Sequence, residues 1–198
     1  MSKILFGVDF GSKLAGTTVI SIFKQNKIYF MDVDEGVDAD QFILNAAEHF
    51  KPDVVFIDAP LSLPGKYRDV DGCDDYMFRH ADKEVKAMSP MFLGGLTARA
   101  MRLRDKLEDA GSVVKETYPK ILAHKYDLSN LGYKANSRHI NACRSKLQDA
   151  LNPNIIMDCM DIKTWHHLDS LLALMAAMNF DMGSSVSYGD EREGCIFV

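Results

Sequence analysis

Apolar positions along this chain fall into runs of two kinds. Residues 4–9 and 54–57 are unbroken apolar stretches that end at, or run straight into, an aspartate: Asp9 in the first case and Asp58 in the second. Runs without alternation are typical of strands covered on both faces, as in a parallel sheet. Residues 17–23 and 28–32 are rich in β-branched and aromatic types, with Gln25-Asn26-Lys27 between them. Together with the first run they predict a three-strand meander with tight turns, the first punctuated by Gly11 and Gly16. Asp38 with Gln41 three residues on reads as a capping box that opens a helix. Phe42, Ala46 and Phe50 share one face of that helix. Residues 59–95 hold Pro60, Pro64, Gly65, Gly72, Pro90, Gly94 and Gly95 and read as a long insert, helical over roughly 74–87. A helix from Thr97 to Ala110, stopped by Gly111, leads through Val113-Val114 to Glu116 in a short strand closed by Pro119. Residues 137–151 predict a helix with Ile140, Cys143, Leu147 and Leu151 inward, and residues 164–180 another, capped by Thr164. In the latter, Trp165, Leu168, Leu172, Met175 and Met178 follow helical spacing. A loop over 181–189 then precedes an acidic tail and a last strand at 195–198.

The order β-β-β-α-β-insert-α-β-α-α predicts an α/β protein with a mixed sheet, helices on both faces and a long insert after the fourth strand. It is similar to the ribonuclease H-like fold, in which the first strand lies beside the fourth and the fifth lies beyond it. Length fits one domain over residues 1–198. Composition, at 47% hydrophobic and 26% charged, is that of a globular chain. No apolar run approaches the ~20 residues that span a bilayer, so no membrane partner is expected. Met1-Ser2-Lys3 runs directly into the first strand with no signal-like segment, and a cytoplasmic setting is expected. The cysteines (Cys73, Cys143, Cys159, Cys195) are scattered without C-x-x-C spacing, which argues against a zinc knuckle or a disulfide framework. The net charge of −5 counts against a broad, non-specific nucleic-acid surface. It leaves room for a site where metal ions offset local acids.

Asp9, Asp58 and Glu116 each follow an apolar run, on strands expected to lie side by side about 4.8 Å apart. Carboxylates at matching depth on such strands repel unless a cation sits between them. Asp169 joins them early in the last helix, where Ala173 and Ala177 give a strip small enough for close approach to the sheet. Asp9, Asp58 and Asp169 are thus candidate ligands for Mg²⁺ or Mn²⁺, hard ions that prefer anionic oxygen. Each acid also has a plainer reading, since an aspartate at a strand end often shapes a turn or caps a helix. Glu116 reads either as a fourth ligand or general base, or as an acceptor for backbone donors near Tyr118-Pro119. Glu191 and Glu193, two apart in the tail, read as closing over the site or as part of a solvated turn. Lys66, Arg68 and Arg79 in the insert are candidate phosphate contacts, since loops beside strand ends carry binding residues. Arg99, with Arg102 and Lys106 on one helix face, is a weaker candidate than a solvated face would be. Lys134, Arg138 and Arg144 form a further basic stretch, and His166 is an acid–base candidate, behind its plainer reading as a helix-start histidine with an ordinary hydrogen bond.

The segments Gly7-Val8-Asp9-Phe10-Gly11-Ser12, Ile57-Asp58-Ala59-Pro60-Leu61, Glu116-Thr117-Tyr118-Pro119, His167-Leu168-Asp169-Ser170-Leu171-Leu172-Ala173 and Gly189-Asp190-Glu191-Arg192-Glu193-Gly194 occur in that order. Together they resemble the family called domain of unknown function 429, described as predicted nucleases of ribonuclease H-like fold. That resemblance implies a metal-dependent nuclease or phosphodiesterase with Asp9, Asp58 and Asp169 at its centre. Asp58 departs from the glutamate that many nucleases of the superfamily carry on the fourth strand. A second reading comes from Gly7-x-Asp9-x-Gly11-Ser12, which resembles the first phosphate loop of the actin and sugar-kinase superfamily, with Ser12 as a phosphate contact. Those proteins pair two such domains, which this length supplies only as a homodimer. The third reading is a non-catalytic binding module on the same fold. Nucleic acid is the partner implied by the first reading alone.

Overall fold

The computed structural model describes residues 3–157 and 159–198. Met1 and Ser2, part of the start read as leading into a strand, lie outside the described residues, as do Asp158 and the side chain of Cys159. In chain order the elements are β1 (Leu5–Asp9), β2 (Val19–Lys24), β3 (Lys27–Asp32), α1 (Ala39–Phe50), β4 (Val54–Asp58), α2 (His80–Val85), α3 (Pro90–Leu93), α4 (Gly95–Asp109), β5 (Val113–Glu116), α5 (Pro119–Lys125), α6 (Ile140–Ala150), β6 (Ile156–Met157), α7 (Trp165–Asp181), β7 (Ser187–Asp190) and β8 (Gly194–Phe197), with short 3₁₀ turns between some of them.

The eight strands among the described residues form one sheet in the order β6-β3-β2-β1-β4-β5-β8-β7. β1, β2 and β3 are the antiparallel meander, and β4 and β5 follow β1 in parallel. This is the ribonuclease H-like arrangement expected from the element order. Side-chain parity divides the core in two. Leu5, Val54 and Phe56 face α5, α6 and α7, whereas Phe6, Val8, Val55, Ile57 and Val114 face α1 and α4. Helices therefore cover both faces, which is why β1 and β4 are apolar without alternation.

α7 is buried from His167 through Ala177, more than one apolar face would require, because it lies between the sheet and the α5–α6 layer. Thr164 caps it by accepting from the His167 amide. The helix approaches the sheet closely at Gly7 of β1, beside Ser170 and Leu174, and Ala173 and Ala177 of the small-residue strip are fully buried. A Cβ on Gly7 would stand 2.1 Å from the Leu174 nitrogen and 2.4 Å from the Ser170 carbonyl oxygen. Ser170 Oγ meets Ser21 Oγ of β2 at 2.6 Å, tying helix to meander.

Several expectations are corrected. Asp38 caps α1 through the Asp40 and Gln41 amides, but Gln41 Nε2 donates to Asn45 instead of completing a box. Helix in the insert is shorter than 74–87 and begins at His80. Pro119 starts α5, because a proline without an amide hydrogen is well placed in a first helical turn. The stretch read as a 181–189 loop contains β7, whose polar Ser-Tyr-Gly-Asp sequence carries no strand pattern and is a strand only by pairing with β8. No helix among the described residues is long and apolar enough to cross a membrane.

Candidate metal centre

Asp9 and Asp58 are paired residue to residue across the parallel β1–β4 ladder. Both share the parity of Leu5 and Phe56 and therefore point to the α7 face. Asp169 descends from α7 onto the same point, and one carboxylate oxygen from each of the three lies within 4.8 Å of the others. Gly7, two residues before Asp9, sets the short helix–sheet distance that makes this possible.

The surroundings of the three acids differ. Asp9 Oδ2 accepts from His166 Nδ1 at 2.7 Å. A carboxylate can only accept, so the His166 proton sits on Nδ1, and this bond raises the imidazole pKa above its ordinary value. The two oxygens of Asp169 are held separately: Tyr133 donates its hydroxyl to Oδ1, and the Lys134 ammonium pairs with Oδ2. Among the described residues, the Asp58 carboxylate has neither a hydrogen-bond nor an ion-pair partner. Burial first, then the charges of Asp9 and Asp169, push its pKa well above the carboxylate range. Burial likewise raises Asp169 to about 6, with Asp9 adding to the shift and Lys134 opposing it.

This donor set consists of carboxylates without histidine nitrogen or thiolate, which suits a hard divalent ion. A cation, the Lys134 ammonium, already stands at its edge. The residues therefore fit Mg²⁺ or Mn²⁺.

A raised carboxylate pKa makes the ion-free protein less stable as pH rises. Between the unfolded value near 4 and about 6, the folded state holds the extra proton on Asp169. Its contribution is therefore lost as pH climbs through that window. With a chelator present, the stability difference between the native chain and Asp169→Asn should shift against the native chain by roughly 2–3 kcal/mol from pH 4 to pH 7.5. Urea unfolding at both pH values measures this; parallel pH profiles would assign the effect to another group.

Glu116 does not join the centre. It pairs with Ile57 rather than Asp58, so its side chain has the opposite parity and faces away from α7. There it accepts from the Leu61 amide and forms an ion pair with Arg79. Its plainer reading, an acceptor for backbone donors, is close to this outcome. Arg79 is fully buried between Asp82 and Glu116 and cannot reach a phosphate. Glu193 is buried too; it accepts from the Gly65 and His80 amides at 2.7 and 2.6 Å and anchors the insert. Residues 191–193 form a turn between β7 and β8, so Glu191, which is exposed, and Glu193 do not project together over the acids. Arg68 is turned to the Glu193 carbonyl, and Arg99 is paired with Asp40 and the Gly11 carbonyl. Lys66 lies near Asp74 and over the Tyr76 ring, and Ser12 is exposed in the β1–β2 loop. Tyr133 and Lys134 had no site role in the sequence reading. They sit in a tight turn where Gly132 and Lys134 both adopt positive φ, and only the glycine hints at it.

The family described as "Protein of unknown function (DUF429)" matches residues 7–194, and the chain belongs to it. No curated protein matches. Among solved structures, the chain is similar to RuvC of Thermus thermophilus, at 13% identity and a TM-score of 0.43, over 91% of this chain and 97% of that one. It is also similar to T. thermophilus RuvC in complex with a Holliday junction substrate, at 15% identity and a TM-score of 0.41, over 92% and 98% of the two chains.

Proposed function

We propose that this member of the DUF429 family is a metal-dependent phosphodiesterase that cleaves nucleic acid. The observation that carries the reading is the convergence of Asp9, Asp58 and Asp169, from two neighbouring strands and one helix, with ligand oxygens within 4.8 Å of one another. These three residues would hold Mg²⁺ or Mn²⁺. When bound, such an ion supplies Lewis acidity at a phosphoryl oxygen and acidifies water. The chain's own residues do the rest. Ladder pairing fixes Asp9 and Asp58 at one depth, and α7 supplies Asp169 from a rigid, buried position. His166 stays protonated on Nδ1 towards Asp9, which leaves Nε2, on a side chain 46% exposed, to exchange a proton with substrate or water.

Loss of an outer-shell partner alone costs about 10–100-fold in metal affinity, so loss of a ligand carboxylate should cost at least as much. Calorimetric titration of Mn²⁺ should show binding to the native chain that weakens by more than about tenfold in Asp9→Asn. Cleavage of nucleic acid in Mn²⁺ should be lost in the same variant. A native chain that takes up no Mn²⁺ would overturn the reading.

A further inference from the structure

The centre gathers three carboxylates and one fixed ammonium. Lys134 Nζ pairs with Asp169 Oδ2, on the residue that also meets the Tyr133 hydroxyl. Tyr133 is itself set by edge-to-face packing on Trp165 at the start of α7, with ring centroids 5.6 Å apart. The turn that delivers Lys134 is thereby fastened to the helix that delivers Asp169.

Paired-ion phosphodiesterase centres place two divalent ions ~3.5–4 Å apart, and negative charge left over after the first ion draws in the second. Here Lys134 takes up that remaining charge. Glu116, the fourth acid on these strands, is turned to the other face and consumed by Arg79. No fourth His, Cys, Asp or Glu joins Asp9, Asp58 and Asp169 among the described residues. Three carboxylates and one ammonium leave two uncompensated negative charges, the charge of one divalent ion.

We propose that Lys134 takes the place of a second metal ion, so that the centre holds one divalent cation and a lysine ammonium. This rests on the metal-centre reading above and deepens it. The ammonium supplies positive charge at the substrate phosphate where a second ion would, and it is delivered by the chain instead of drawn from solution. Lysine suits this place because its charge is compact and its stem long enough to reach in from a surface turn.

Stoichiometry tests it directly. Mn²⁺ is titrated calorimetrically into the native chain, Lys134→Met and Lys134→Arg, each checked for native circular dichroism. Lys134 is half-exposed on a turn, so neither change disturbs the core. The expected result is one ion per chain for the native protein and for Lys134→Arg, and two for Lys134→Met, whose freed Asp169 oxygen accepts the second. Two ions on the native chain, or one on Lys134→Met, would overturn the proposal and leave the metal centre standing. No binding to any of the three would remove the metal centre and the proposal with it. If Lys134→Met does not fold, Lys134→Gln, which also lacks the charge, takes its place with the same expected count.

Discussion

Gly7→Ala should leave little folded protein. The added methyl would stand 2.1 Å from the Leu174 nitrogen, 2.4 Å from the Ser170 oxygen and 2.6 Å from the Leu174 Cα. All three are backbone atoms of α7, so no rotamer change relieves the clash. Normal contact requires helix and strand to separate by about 1 Å or more. α7 is the buried centre of its layer, and interiors packed at crystal density transmit such a shift rather than absorb it. Overpacking commonly costs 1–3 kcal/mol; with backbone on both sides the cost should be about 4 kcal/mol or more, a large part of a typical domain's stability. Denaturant unfolding of Gly7→Ala beside Gly95→Ala makes the test. Gly95 opens α4 with nothing near its would-be Cβ, and its replacement should be neutral or mildly stabilising. A Gly7→Ala protein within about 1 kcal/mol of native would show that α7 can retreat without loss. Where enough Gly7→Ala folds to assay, its Mn²⁺ affinity should fall, since the same displacement draws Asp169 away from Asp9 and Asp58.

Arg79→Met should be nearly as damaging, for an electrostatic reason. The guanidinium is fully buried and donates to Asp82, Glu116 and Ser62, while Asp82 and Glu116 are themselves almost inaccessible. Removing it strands two carboxylates in the interior, and breaking a buried ion pair in this way costs about 3–5 kcal/mol. Arg79→Lys should not rescue it, because an ammonium cannot reproduce the planar fork that meets both carboxylates at once. The loss should ease in acid. Burial already raises the Glu116 pKa against the pull of Arg79. Without the arginine the rise is larger, so the folded variant takes up protons that the unfolded chain does not and regains stability as pH falls. Thermal unfolding of native and Arg79→Met protein from pH 4 to pH 8 should therefore show a gap that narrows towards acid. A constant gap would mean that lost packing, not stranded charge, is responsible.

The two carboxylates facing each other on β1 and β4 were legible because both end apolar runs of similar length, which puts them level in any in-register parallel pair. The fate of Glu116 was hidden by a single step of register. A strand end fixes depth, but only the pairing partner fixes the face. Arg79 read as a phosphate contact, and Glu193 as a site-closing residue or part of a solvated turn; their burial depends on insert and tail meeting, which no local pattern encodes. Lys134 was visible as one basic residue among several. Its place against Asp169 comes from a turn with two positive-φ residues whose path is set by Tyr133 on Trp165. β7 gave no strand signal because its pairing with β8, not its side chains, makes it a strand.

The latch at Glu193 also bears on the order in which the molecule can be made. The insert begins some 130 residues before the carboxylate that fastens it, as the separations of 128 and 113 positions to Gly65 and His80 record. A nascent chain that has emerged only as far as α7 already owns β1, β4 and all three aspartates. The amides of Gly65 and His80, however, wait for a partner still inside the ribosome. During translation the acidic centre can thus assemble ahead of the loops beside it, and the insert settles only when the β7–β8 turn arrives.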